Sequence, residues 1–284
     1  MPTTPVFEPK AEGTLLIIGG GEVRKGNTVI LDRFALEARK AGGHRPSSRL
    51  VILPTGLKDE DLDIASEYQN LFLECGIHPV DIAEVRCPDH ANDGATAARI
   101  QEAAGVFFTG GDQVRITGIL GGTACGDAIY DVFVDKGIIG GTSAGASAMS
   151  ETMVAGGDVD PMPSRGAIRM CPGLGLLSGV IIDQHFSERR RIGRMVTVVA
   201  QNPRVLGLGI DENTAVLVRP EGVMTVLGEH SVTLFDGTQI SYTNANDIET
   251  GGPISVSDLK IHILLEGDQF DMKTRKRISS GPPE

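Results

Sequence analysis

The chain has 284 residues and a mass of 30.0 kDa, with 26 Lys+Arg against 37 Asp+Glu, a formal net charge of −11. A composition 40% apolar and 22% charged is that of a folded globular protein, which excludes disorder, and the acidic balance argues against nucleic acid as the main partner, since phosphate binding needs a concentrated basic face. At this length roughly three quarters of the unfolded surface can be buried, so no disulfide or metal staple is needed and one or two domains fit.

Residues 1–11 carry prolines and no apolar run, and they read as a flexible tail rather than a secretory signal. No stretch approaches the ~18 apolar residues of a membrane span, so the expectation is a soluble, cytoplasmic protein with no membrane partner. Leu15–Ile18 is an apolar run ending in Gly19-Gly20-Gly21-Glu22. Val29–Lys40 has helical spacing, and Leu50–Leu53 is a second apolar run closed by Pro54. A helix is expected over Asp61–Cys75, a weaker strand over Val80–Val85 and a helix over Ala95–Ala104. Gly105–Phe108 leads into Thr109-Gly110-Gly111-Asp112-Gln113, followed by helices through Leu120 and over Ala124–Lys136 and a strand over Gly137–Gly141.

This alternation of strand and helix, with continuous apolar strands, predicts an α/β three-layer sandwich around a mostly parallel sheet buried on both faces. Such sheets bind ligands outside the carboxyl ends of their strands, which is where the glycine clusters fall. Glycine is abundant, 37 residues or about 13% against a usual ~7%. From Val205 onward short alternating runs predict a β-rich C-terminal extension of the same sheet. The expected organisation is one α/β domain over 12–272 and a solvated basic tail over 273–284. Cys75, Cys87, Cys125 and Cys171 form no CxxC pair and read as free, buried or partly buried thiols.

Gly141-Thr142-Ser143-Ala144-Gly145 fits G-x-S-x-G between a strand and an expected helix over Ala144–Glu151. That context makes Ser143 a candidate nucleophile on a tight strand-to-helix turn. The Ala144 N–H and one from Gly110-Gly111-Asp112, taken as Gly111, are candidate oxyanion donors. A serine nucleophile needs a base. His44, His78, His90 and His262 sit in loop, connection or strand contexts that favour structural or surface roles. His185 follows an apolar strand as Asp183-Gln184-His185-Phe186, with His230 a weaker rival. The orienting acid is Asp211 or Glu212, again after a strand, with Asp158 and Asp160 as rivals. The α/β-hydrolase order of serine, acid, histidine would need His230 or His262 with Asp183 or Asp211, and would leave the DQH segment unexplained.

Ser187 to Arg194 carries four arginines in six positions directly after the candidate base. If this run starts a helix, Arg190 and Arg194 share a face. Guanidinium forks match carboxylates, so a substrate with a free carboxylate near the scissile bond is expected, with Glu188 partly neutralising the run. Gly19–Glu22 lacks G-x-G-x-x-G spacing and a Gly-Lys-Ser/Thr, so no nucleotide cofactor is expected. It reads as a pocket-floor turn with Glu22 a candidate substrate contact.

LLIIGGGE (15–22), FFTGGDQ (107–113), GTSAGA (141–146), GLGLL (173–177), IIDQHFSERRRIGR (181–194) and GIDENTA (209–215) together resemble the cyanophycinases, serine exopeptidases related to the α-aspartyl dipeptidases. The resemblance implies a class I glutamine-amidotransferase-like fold and a Ser143–His185–Glu212 triad. It links Gln113, Asp183, Gln184, Arg189, Arg191 and Arg194 to substrate binding or activity, and gives Arg190 no role. It implies hydrolysis of cyanophycin, a polyaspartate with arginine on each β-carboxyl, to β-Asp-Arg dipeptides through an acyl-enzyme, by a homodimer without metal or cofactor. Two alternatives remain open at this point: an Asp-X dipeptidase, and a non-catalytic amidotransferase-like binding module.

Overall fold

The computed structural model describes residues 11–157 and 162–278, so residues 1–10 of the expected tail lie outside it. The first half alternates as expected: β1 (Thr14–Ile18), α1 (Val29–Gly42), β2 (Leu50–Leu53), α2 (Asp63–Glu74), β3 (Val80–Ile82), α3 (Pro88–Ala91), α4 (Gly94–Gln101), β4 (Gly105–Phe108), α5 (Gln113–Leu120), α6 (Ala124–Val134), β5 (Ile138–Thr142) and α7 (Ala144–Ser147). Then come β6 (Thr152–Gly157), β7 (Ile168–Pro172), β8 (Val180–Gln184), α8 (Ile192–Gln201), β9 (Leu206–Ile210), β10 (Thr214–Val218), β11 (Val223–Gly228) and β12 (Val232–Asp236). The chain closes with β13 (Tyr242–Thr243), β14 (Val256–Ser257), β15 (Lys260–Leu264), β16 (Gln269–Asp271) and β17 (Lys276–Ile278).

The central sheet has the order β17-β16-β11-β10-β1-β5-β4-β2-β3. Strands β1, β5, β4, β2 and β3 pair in parallel, and β10, β11, β16 and β17 extend it by antiparallel pairing. β1 sits between the two halves, apolar on both faces. Leu16 and Ile18 pack under α1 and α2 with Phe34, Phe72 and Phe107, whereas Leu15 and Ile17 enter the opposite core. Such two-sided burial gives the parallel strands continuous apolar runs in place of alternation.

The last third differs from expectation. Only part of it extends the central sheet. β9, β12 and β15 join β8 in a second sheet, ordered β15-β12-β9-β8. One face of this sheet (Ile182, Leu208, Leu234) packs into the core it shares with Val216 and Val226 of the central sheet. α8 covers the other face through Met195, Val198 and Val199 against Phe186 and Phe235. The sandwich therefore has three layers over the parallel half and four over the rest. The basic tail is also corrected: β17 pairs with β16, and Arg275 is buried against Asp236 at 2.6 Å.

α7 is one turn long, not the helix expected over Ala144–Glu151. The backbone of 148–151 is claimed by the 173–177 loop, with Leu174 N–H on Ala148 O at 2.8 Å, Leu177 N–H on Met149 O at 3.0 Å and Gly173 N–H on Glu151 O at 2.9 Å. Tertiary pairing thus overrides a favourable alanine-rich local sequence.

Outside the site, Glu37 is a buried hub, accepting from both Arg219 nitrogens (2.8 and 2.9 Å), Arg33 (3.0 Å) and Lys40 (3.2 Å). Burial raises its pKa, but the bonds and charge of Arg219, then Lys40, outweigh this and hold the carboxyl below its ordinary value. A depressed carboxylate stabilises the fold above its unfolded pKa, about 4.3 for Glu, and loses that contribution as pH falls through the folded value. Glu37→Gln is therefore expected to lower the urea midpoint at pH 7 and to flatten its fall on acidification below about pH 4.5.

Candidate active site

β5 ends at Thr142, and Ser143 follows with φ +52°. A non-glycine residue there carries backbone strain of about 1–3 kcal/mol, as expected of a nucleophile held on a tight turn. A Cβ on Gly141 would lie 2.8 Å from the carbonyl carbon of Gly145, so both flanking glycines are required by close packing. Ser143 Oγ lies 2.8 Å from His185 Nε2, and His185 Nδ1 lies 2.5 Å from Glu212 Oε1. With the ring proton on Nδ1 donating to Glu212, Nε2 is free to accept the serine hydroxyl. The arrangement can deprotonate Ser143 and stabilise the resulting imidazolium.

Asp211, the alternative acid, is buried and engaged elsewhere. It accepts from Ser187 N–H (3.0 Å), Ser231 N–H (3.1 Å) and Ser231 Oγ (2.7 Å). It braces the loop that presents Glu212. Glu188, read as neutralising the arginine run, instead accepts the Glu212 N–H at 3.2 Å. His230 is exposed on the turn after β11, and Asp158 and Asp160 lie outside the described residues.

The three residues of the candidate triad come from both sheets: Ser143 after β5 of the central sheet, His185 after β8 of the second, and Glu212 in the crossing from β9 to β10. The end of β1 joins them. Three consecutive carbonyls, Ile18, Gly19 and Gly20, accept from Ser143 N–H (3.0 Å), His185 N–H (2.8 Å) and Asn213 N–H (2.8 Å). This explains the glycine run. A Cβ on Gly20 would fall within the His185 imidazole, and one on Gly21 would stand 2.9 Å from Glu212 Oε2. The pocket-floor reading thus becomes a direct contact with two triad members, for which the absence of side chains was the only sequence signal. Gly20→Ala is expected to displace the imidazole and lower kcat by about 100-fold, since a 1 Å misplacement can cost that much. Circular dichroism and steady-state kinetics would check it.

Gly111 and Ala144 stand on either side of the elbow. Among the described residues neither N–H has a hydrogen-bond acceptor within the chain. Gly111 has φ +111° and packs against the Gly56 carbonyl so closely that no side chain fits. Its neighbour Gly110 lies against Ser143, a Cβ there being 3.6 Å from Ser143 Cβ. α7 is too short for an appreciable macrodipole, so its contribution reduces to its unpaired N–H groups.

The chain matches the family model described as Peptidase family S51 over residues 15–226. The chain belongs to this family. It is a serine peptidase. It is 36% identical over 269 residues to a cyanophycinase of Trichormus variabilis, covering 94% of this chain and 88% of that protein. It is 34% identical over 266 residues to a cyanophycinase of Synechococcus elongatus, covering 93% and 81%. The crystal structure of a peptidase from an acI-B1 Actinobacterium shares the fold, with a TM-score of 0.70 at 17% identity over 93% of this chain and 98% of that one.

In this S51 peptidase the arginines expected to meet a substrate carboxylate lie at different depths, Arg191 and Arg194 buried and Arg189 and Arg190 exposed. α8 begins at Ile192, so Arg189 and Arg190 precede it, and Arg190 is exposed at φ +52°. Asp183 is fully buried. Its carboxylate is chelated by Arg194, through Nε at 2.8 Å and through a second guanidinium nitrogen, and by Arg191 at 2.8 Å. Burial pushes the Arg191 pKa down to about 10, with Asp183 opposing the shift, so Arg191 stays charged at neutral pH. Both Asp183 oxygens are thus engaged within the chain, and the carboxylate holds the two arginines beneath His185.

Glu22 is likewise not a free substrate contact. It is buried, accepts from Tyr68 Oη, and accepts from Thr142 Oγ1 at 2.6 Å, directly before the nucleophile. Burial, then the Glu22 charge, raise the Tyr68 pKa well above its ordinary value and keep it a donor. The clamp ties the Gly19–Gly21 turn to the strand that carries Ser143. Gln113 starts α5 and donates to Val154 O at 3.0 Å, and Arg189 is exposed beside His185. Gln184 Oε1 and Arg191 Nε are buried with no partner in the chain among the described residues.

Proposed function

We propose that this S51 peptidase hydrolyses cyanophycin to β-Asp-Arg dipeptides by an acyl-enzyme route. The observation that carries the mechanism is the unbroken Ser143–His185–Glu212 hydrogen-bond chain; the substrate rests on identity to cyanophycinases along nearly the whole chain. Ser143 Oγ attacks the carbonyl of the scissile backbone amide near the end of the polymer while His185 Nε2 takes its proton. The Gly111 and Ala144 N–H groups donate hydrogen bonds to the oxyanion. The imidazolium gives its proton to the leaving amine, and water, activated by the same base, releases the acyl group and restores Ser143.

In this reading the substrate meets Gln113, Gln184 and Arg189, together with the edges of Arg191 and Arg194 that Asp183 leaves unpaired. Asp183 positions those two arginines. The fold is of the class I glutamine-amidotransferase-like kind, with serine in the elbow where an amidotransferase uses cysteine, and the protein works as a homodimer without a metal or cofactor. Among the described residues no helix is long and apolar enough to cross a membrane.

Purified protein is to be incubated with insoluble cyanophycin and, separately, with short α-Asp-X peptides, and the products identified by mass spectrometry. β-Asp-Arg released from the polymer, at a kcat/KM well above that for the peptides, is the expected result. Cleavage of the peptides with an untouched polymer would replace this reading with that of an α-aspartyl dipeptidase.

A further inference from the structure

Ser143 holds φ +52°, and a strained non-glycine backbone persists only where its surroundings over-determine it. After the nucleophile the restraint is close packing: a Cβ on Gly145 would lie 2.8 Å from the Phe108 and Thr109 carbonyl oxygens. Before it, the restraint is a side chain. Thr142 Oγ1 donates to Glu22 Oε2 at 2.6 Å, and Tyr68 Oη donates to Glu22 Oε1. Tyr68 is itself fixed, its ring centroid 4.9 Å from that of Phe107 and 6.3 Å from that of Phe72. One carboxylate thus ties the last residue before the elbow to the aromatic core between α2 and the sheet.

This bond differs from ordinary satisfaction of a buried hydroxyl. Elsewhere buried threonines donate to a backbone carbonyl three or four residues back, Thr123 to Leu120 O at 2.7 Å and Thr197 to Gly193 O at 2.9 Å. Thr142 reaches instead across 120 residues to a carboxylate. Glu22, Thr142 and Tyr68 are all buried, and a carboxylate in the interior is costly unless a cation accompanies it. Among the described residues no Lys or Arg pairs with Glu22. Arg24, two residues on, pairs with Glu67 at 3.1 Å and lies over the Tyr68 ring. Glu22 also directly follows the turn in which Gly20 lies against His185 and Gly21 against Glu212. Its side chain therefore joins the strand of the nucleophile to the segment packed on the other two residues of the candidate triad.

We propose that Glu22 is a positioning residue for the reaction, which through Thr142 holds the strained elbow where Ser143 Oγ meets His185 Nε2. Without the tether Thr142 turns, the elbow relaxes and Oγ leaves the imidazole, whereas groups that hold the substrate on other elements stay in place. A displacement of about 1 Å suffices for a loss of about 100-fold. This role rests on Ser143 being the nucleophile and is independent of which substrate is cleaved.

The test combines the rate of Ser143 labelling by a phosphonofluoridate with steady-state kinetics on whichever of the polymer and the α-Asp-X peptides the wild type cleaves. Thr142→Val, an isosteric change that removes only the donor, is expected to lower kcat and the labelling rate together, by about 10- to 100-fold. KM should stay within about twofold of wild type, since the loss falls on the transition state alone. Thr142→Ser keeps the hydroxyl and is expected to recover most of the activity. Glu22→Gln should fall with Thr142→Val, and the double variant little further, because both act through one bond. Glu37→Gln, which alters a buried carboxylate outside the site, is expected to lose stability and keep kcat. A Thr142→Val protein with wild-type kcat and labelling rate would overturn the tether. So would a loss confined to KM, or a kcat that falls as far in Glu37→Gln. A wild type not labelled at Ser143 would remove the nucleophile and, with it, this role of Glu22.

Discussion

Ser143→Ala is expected to lower kcat by about 10⁴- to 10⁶-fold while the protein remains folded, because removing the nucleophile of a serine triad abolishes the covalent route outright. Among the described residues the hydroxyl's single intramolecular partner is His185, so its loss should change stability by no more than about 1 kcal/mol. His185→Ala is expected to fall as far. The double variant should lose little more than either single, since members of a triad act as one unit and their effects do not add. Activity on the polymer and the urea midpoint, measured on the same preparations, check both parts. An undiminished Ser143→Ala variant would remove the enzyme mechanism.

The second large effect is on stability. Asp183→Ala leaves the buried Arg191 and Arg194 guanidinium groups without their shared counter-ion. Removing one partner of a buried ion pair costs about 3–5 kcal/mol, because an uncompensated charge stays in the interior. The expected result is a drop of that size in unfolding free energy, together with lost activity, since Arg191 also donates to Gln184 O at 2.5 Å directly before His185. Asp183→Glu keeps the charge but lengthens the arm, and is expected to recover part of the stability and less of the activity. An Asp183→Ala protein as stable as wild type would show that water, not the carboxylate, neutralises the cluster.

The contrast between these two sites shows what the sequence carries. The strand–turn–helix run around Ser143 was legible because G-x-S-x-G couples local backbone geometry to residue size. The DQH segment was legible because an apolar strand ended there. Spacing leaves Glu212 and Asp211 both open and only the family likeness points to Glu212; in the structure Glu212 lies on His185 while Ser187 and Ser231 occupy the aspartate. The depth of the arginine run was not legible because a charge run states its charge and not its depth: Arg191 and Arg194 point inward to Asp183, a pairing across the bend between β8 and α8. The second sheet was hidden for another reason. Strands β9 to β12 have the same short apolar runs whichever sheet they enter, and period alone does not choose between neighbours. Glu22 was placed near the site correctly and given the wrong task, because its partners Tyr68 and Thr142 lie 46 and 120 residues away.

The measurement that bears most directly on the triad is covalent labelling with a phosphonofluoridate, which reacts only with an activated serine. Intact and peptide mass spectrometry are expected to show one adduct per chain, on Ser143, formed rapidly in wild type, more slowly in Glu212→Gln and not at all in His185→Ala. Labelling at another serine, or equal rates in wild type and His185→Ala, would contradict the account.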